Sequence, residues 1–204
     1  MKHARRSVVM TVLVAVAGIG VLWHGTDGFA SFTAEAVRRA EIIRAPRRLP
    51  AAVLEDQDGR PFSLQDYRGK LLAVEFIYTR CMTVCRSLGL AFRQIREHVP
   101  PSMLGSKFAL LSISFDTARD DPARLKAYGD AYGADGRYWR IARVRSAADL
   151  KPLLDAFGIV VIPDGLGGFE HNAAIHLLDR DGRLAWISDI EQPIAFAEQV
   201  AQWP

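Results

Sequence analysis

Cys81 and Cys85 are the only cysteines in the chain, and they stand four residues apart where an apolar run gives way to a helical pattern. If the helix has begun by Cys81, the two lie on one face with Cβ atoms ~6 Å apart, so both sulfurs reach one small ion or each other. A helix N-terminus favours thiolate over thiol, and the flanking Arg80 and Arg86 act in the same direction. A thiolate is both a nucleophile and a soft ligand, and soft sulfur suits copper(I), whereas magnesium would want oxygen. The competing readings are two small buried hydrophobes or a structural disulfide. A bridge across four residues constrains the unfolded chain little, and a short, strained pair is the labile, functional kind.

A closed metal site needs a third ligand, and five histidines are present. His3 and His24 belong to the N-terminal apolar region, and His98 lies roughly five turns along the Cys-bearing helix. His171 stands in the glycine-rich stretch GLGGFEHN directly before a strand, from where it could fold back over the cysteines. His176 falls inside that strand and reads as packing. Spacing alone leaves the role of His171 open.

The elements that must position these residues alternate between strand and helix. Ala52 to Tyr67 carries the turn signal Asp58-Gly59 and suggests a hairpin. Leu71 to Tyr78 (LLAVEFIY) reads as a strand buried on both faces, followed by an amphipathic helix over Cys81 to Val99. Phe108 to Phe115 reads as a strand, Asp121 to Tyr132 as a helix, Tyr138 to Val144 as a short strand, and Ser146 to Phe157 as a helix capped by Ser146. Ala173 to Leu178 and Leu184 to Ser188 flank Asp181-Gly182 as a hairpin, and Pro193 to Trp203 closes the chain as a helix. The pattern predicts an α/β sandwich with a mixed central sheet.

Half of the 204 residues are apolar, so one full core can be buried, and Lys plus Arg exceed Asp plus Glu by only three. Without an aromatic-interleaved basic stripe, nucleic acid is not an expected partner. Ser7 to Trp23 is an uncharged apolar run preceded by Lys2, Arg5 and Arg6, and it must meet a membrane. Its 17 residues lie at the lower limit for a spanning helix and exceed a usual signal-peptide core. Residues 1–30 are therefore expected to be an N-terminal transmembrane anchor, with a signal segment cleaved near Gly28-Phe29-Ala30 as the alternative. Residues 31–49, with Arg38, Arg39, Arg44, Arg47 and Arg48, read as a basic linker, and 50–204 as one folded domain. The charge before the run keeps the N-terminus inside, which puts the domain on the periplasmic face of a bacterial inner membrane.

Three blocks in order then resemble the SCO/SenC family. They are Tyr78-Thr79-Arg80-Cys81-Met82-Thr83-Val84-Cys85 after a strand, Ser112-Ile113-Ser114-Phe115-Asp116 with Asp121-Pro122 just beyond, and His171 before a strand and the turn Asp179-Arg180-Asp181-Gly182. The resemblance implies a thioredoxin-like fold and copper bound by Cys81, Cys85 and His171. It further implies a metallochaperone role in assembling the copper centre of cytochrome c oxidase, with that enzyme's copper-bearing subunit or another copper protein as partner. The chain departs from the family pattern at Met82 and Arg86, where proline is usual. In the metallochaperone role the protein is not an enzyme. The alternative is a membrane-anchored periplasmic thiol–disulfide oxidoreductase, with Cys81 and Cys85 as its catalytic redox pair. A thiol peroxidase is disfavoured because no peroxide-binding arrangement surrounds Cys81.

Overall fold

The computed structural model describes residues 2–25, 33–81 and 84–204. It divides into two units, 1–44 and 45–204. The first contains helices α1 (Lys2–Gly25) and α2 (Ala34–Arg44). Among the described residues no helix is long and apolar enough to cross a membrane, so the expected transmembrane helix is not what the structure shows. The physical reason is length: only 17 of the 24 residues of α1 belong to the apolar run, the rest being its basic start and His24-Gly25. A span needs about 20 apolar residues. The alternative cleavage position, Gly28 to Ala30, lies outside the described residues.

The second unit is built on the strands β1 (Arg47–Arg48), β2 (Leu54–Asp56), β3 (Pro61–Phe62), β4 (Leu71–Ile77), β5 (Phe108–Ser114) and β6 (Trp139–Val144). Later come β7 (Val161–Pro163), β8 (Phe169–His171), β9 (Ile175–Leu178) and β10 (Arg183–Ser188). The helices are α3 (Val84–His98), α4 (Pro122–Tyr132), α5 (Ala147–Phe157) and α6 (Pro193–Ala201). Eight strands form one sheet in the order β1-β10-β9-β4-β5-β6-β2-β3, and β7 with β8 forms a separate antiparallel pair.

β4, β5 and β6 run parallel, and β9 and β10 extend the sheet antiparallel on the far side of β4. Every residue of β4 and β5 is buried, as continuous apolar runs in a covered parallel sheet require. Faces follow from alternation. On one, Trp139 meets Phe92 of α3, Ile141 lies under Gly129 of α4, and Trp186 stacks on Phe196 of α6. On the other, Phe76 packs edge-on against Phe157 of α5. This is the expected thioredoxin-like sandwich with a mixed sheet.

Local chemistry explains the boundaries. Asp121 accepts a bond from Arg124 N–H at the start of α4, and Gly133 ends that helix at φ 83°. Two expectations are corrected. α3 begins at Val84 rather than at Cys81, which therefore sits in the turn before the helix. The glycine-rich stretch before His171 is no plain loop, because β7 and β8 pair across it with Val161 opposite His171.

Candidate metal centre

The parallel sheet delivers the turn that carries Cys81 to its C-terminal edge, the usual place for function in open α/β sheets. β4 ends at Ile77, and the chain turns at once, Cys81 N–H donating to the Tyr78 carbonyl at 3.1 Å. Asp120 holds that turn in place. Fully buried, its carboxylate accepts from Thr79 N–H (2.9 Å), the Thr79 hydroxyl (2.6 Å) and the Ser114 hydroxyl (2.5 Å). Such charge-assisted bonds are the strong kind. Cys85 falls in the first turn of α3, and its N–H donates to Cys81 Sγ at 3.4 Å. The first sulfur thereby serves one of the donors that every helix N-terminus leaves open.

His171 arrives from the opposite side on β8. Its Nε2 lies 3.5 Å from Cys85 Sγ, and the ligand atoms of Cys81, Cys85 and His171 all lie within 4.8 Å of one another. The ring orientation is imposed by its other nitrogen. Nδ1 lies 3.0 Å from the Asn172 carbonyl oxygen, which can only accept, so Nδ1 carries the proton and Nε2 turns its lone pair toward the sulfurs. Asn172 is itself pinned, accepting from Val160 N–H and donating to the Gly158 carbonyl. Around the imidazole stand the rings of Phe115 and Tyr78, with centroids 5.0 and 6.3 Å away.

Two tethers join the β7–β8 pair to the cysteine turn. The Tyr78 hydroxyl donates to the Phe169 carbonyl and accepts from Phe169 N–H, and Arg80 donates to the Gly167 carbonyl at 2.6 Å. Arg80 also faces the buried carboxylate of Asp116 at 3.5 Å.

The protonation picture differs in part from the expectation of a thiolate pair. Burial pushes the Cys85 thiol well above its ordinary range, and the hydrogen bond with Cys81 adds to the rise. Cys85 is wholly buried, so the adjacent arginines and the helix end do not overcome desolvation. Burial lowers His171 from its usual value, against the opposing bond to Asn172, and so keeps it neutral and able to ligate. Beneath the site, in mid-β4, Glu75 is fully buried, and desolvation raises it to about 8 despite the bond from Ser112.

The structure thus assembles Cys81, Cys85 and His171, whose donor set of two sulfurs and one neutral imidazole suits a soft metal ion. Of the other histidines, His98 closes α3 with Nδ1 against the Gln94 carbonyl, His176 packs between Phe76 and Phe157, and His3 and His24 belong to α1. Sequence reasoning passed over Asp120 and Asn172. The first was hidden behind Asp121, the more obvious helix cap; the second sits next to His171, where an orienting group is worth seeking.

Comparisons with known proteins agree on one family. The model of the SCO1/SenC family matches residues 50–203. An SCO1 homologue of Bacillus subtilis (strain 168) is 24% identical over 132 residues, covering 64% of this chain and 67% of its own length. Among solved structures, a SCO1/SenC family lipoprotein from Bacillus anthracis is 25% identical with a TM-score of 0.66, over 78% of this chain and 99% of that one. Bradyrhizobium japonicum ScoI, solved with copper bound, matches in fold with a TM-score of 0.64 at 24% identity, over 76% of this chain and 98% of that one.

Proposed function

This chain belongs to the SCO1/SenC family, and from that premise we propose that it is a copper(I) metallochaperone. Cys81, Cys85 and His171 would hold the ion as cargo, to be passed by ligand exchange to a copper protein such as the copper-bearing subunit of cytochrome c oxidase. The observation that carries the reading is the convergence of three soft or borderline donors, from two separate elements, within 4.8 Å. The copper in the Bradyrhizobium relative supports it. We place the domain on the periplasmic face of a bacterial inner membrane, where α1, exposing Val12, Val16, Ile19 and Leu22 among others, keeps it at the lipid.

The test is a titration of the full chain, reduced and free of oxygen, with copper(I) against a competing chelator. One-to-one binding lost in both His171→Ala and Cys85→Ser is expected. Binding indifferent to His171 would overturn the reading.

A second function, thiol–disulfide exchange, is favoured by a specific asymmetry. Cys81 is also buried, with 6% exposure, but borders a surface cleft, whereas Cys85 has no exposure and does not line it, the order of an attacking and a resolving thiol. In that reaction the Cys81 thiolate would open a partner's disulfide to a mixed disulfide. Cys85 would then release the partner as a dithiol and leave the Cys81–Cys85 disulfide behind. His171→Ala separates the two, abolishing copper binding and sparing the exchange.

A further inference from the structure

Beside the cysteine turn, a cleft of about 520 Å³ opens between the first turn of α3 and the length of α4 from Arg124 to Tyr132. Its lining includes Cys81 but not Cys85, together with Arg80, Arg86, Arg124 and Tyr132. Among the described residues no carboxylate lines it. The nearby acids are engaged elsewhere: Asp120 holds the turn, Asp116 faces Arg80 and Arg119, and Asp121 caps α4. Arg80 is tied to Gly167 and Asp116, whereas Arg86 and Arg124 are exposed and form no ion pair among the described residues. Each belongs to the first turn of its helix, where the helix dipole adds to its positive potential. Such a field, focused in a concave site, recruits the opposite charge.

We propose that this cleft docks an acidic segment of a sulfur-bearing partner protein, its carboxylates received by Arg86 and Arg124 so that its sulfur ligands meet Cys81. The inference rests on reading Cys81 as the group that exchanges with another protein, and it holds whether copper or electrons pass. Exposed arginines beside an aromatic wall steer an oppositely charged partner and fix its register.

The test uses two fluorescent peptides of one sequence, with serine in place of cysteine so that no bond forms, one flanked by Asp and Glu and the other by Lys. Anisotropy at low salt, with the full chain free of copper, should show the acidic peptide binding about tenfold more tightly, given the worth of two partly exposed ion pairs. The preference should vanish in the double variant Arg86→Glu, Arg124→Glu, in which glutamate suits a first helical turn and preserves the fold. It should persist in Arg68→Glu, Arg183→Glu, which changes net charge equally at the opposite end of the sheet. Equal binding of both peptides, a preference surviving the first variant, or its equal loss in the second would overturn the proposal. Because copper takes no part, failure of the copper titration leaves this outcome independent.

Discussion

Glu75 and Cys85 show how burial sets protonation at this site. Glu75 keeps its proton in the fold up to about 8, whereas in the unfolded chain it would lose it near 4.5. The unfolded state therefore binds fewer protons across that interval, so this group makes stability fall as pH rises from about 4.5 to about 8 and level off above. Glu75→Gln keeps an oxygen for Ser112 and removes the titration. Urea unfolding across the interval should show wild type losing up to about 1.4 kcal/mol per pH unit relative to the variant. At Cys85 the consequence is proton release: the raised thiol must lose its proton to ligate. Calorimetry of copper(I) loading of the wild-type chain in buffers of different ionisation enthalpy should therefore count at least one proton released near neutral pH.

The positioning elements make sharper demands. Asp120→Ala removes the acceptor for three donors in a buried setting and should cost about 3 kcal/mol, read by denaturant unfolding. Copper affinity should fall with it, because Thr79 no longer fixes the cysteine turn. Gly89, inside α3, is an unfavourable helix residue on propensity alone. A Cβ there would lie 2.7 Å from the ring of Tyr132, however, so Gly89→Ala should destabilise by about 1–3 kcal/mol rather than stabilise. The same variant would part α3 from α4 and deform the cleft. These elements were unequally legible in the sequence. β4 and β5 announced themselves as unbroken apolar runs, and α4 and α5 by Asp121-Pro122 and Ser146. β1, β7 and β8 have two or three residues each and no alternation to detect, so their pairing is a tertiary fact. The start of α3 was misplaced because the apolar pattern runs through the cysteines, while the backbone is bent there by the Asp120 anchor.

For the molecule as a whole, spacing alone pointed to the two cysteines of the metal centre, whereas His171 was reached only through the family resemblance. Cys81 and Cys85 are neighbours in sequence, but His171 lies 86 residues beyond Cys85 and reaches it only because β9 returns antiparallel to β4. Copper(I) should consequently raise the melting temperature of the whole domain by mass action, and calorimetric scans of His171→Ala should show that rise reduced or absent. The β7–β8 pair has a further consequence. It is a two-stranded ribbon outside the main sheet, and an isolated ribbon has little stability of its own. It is kept closed over the cysteines by Tyr78 and Arg80, so it has the makings of the first part of the domain to open, on its own clock. In deuterated solvent its amides should exchange long before those of β4 and β5, and the residence time of the cargo would then be set by how often this ribbon lifts.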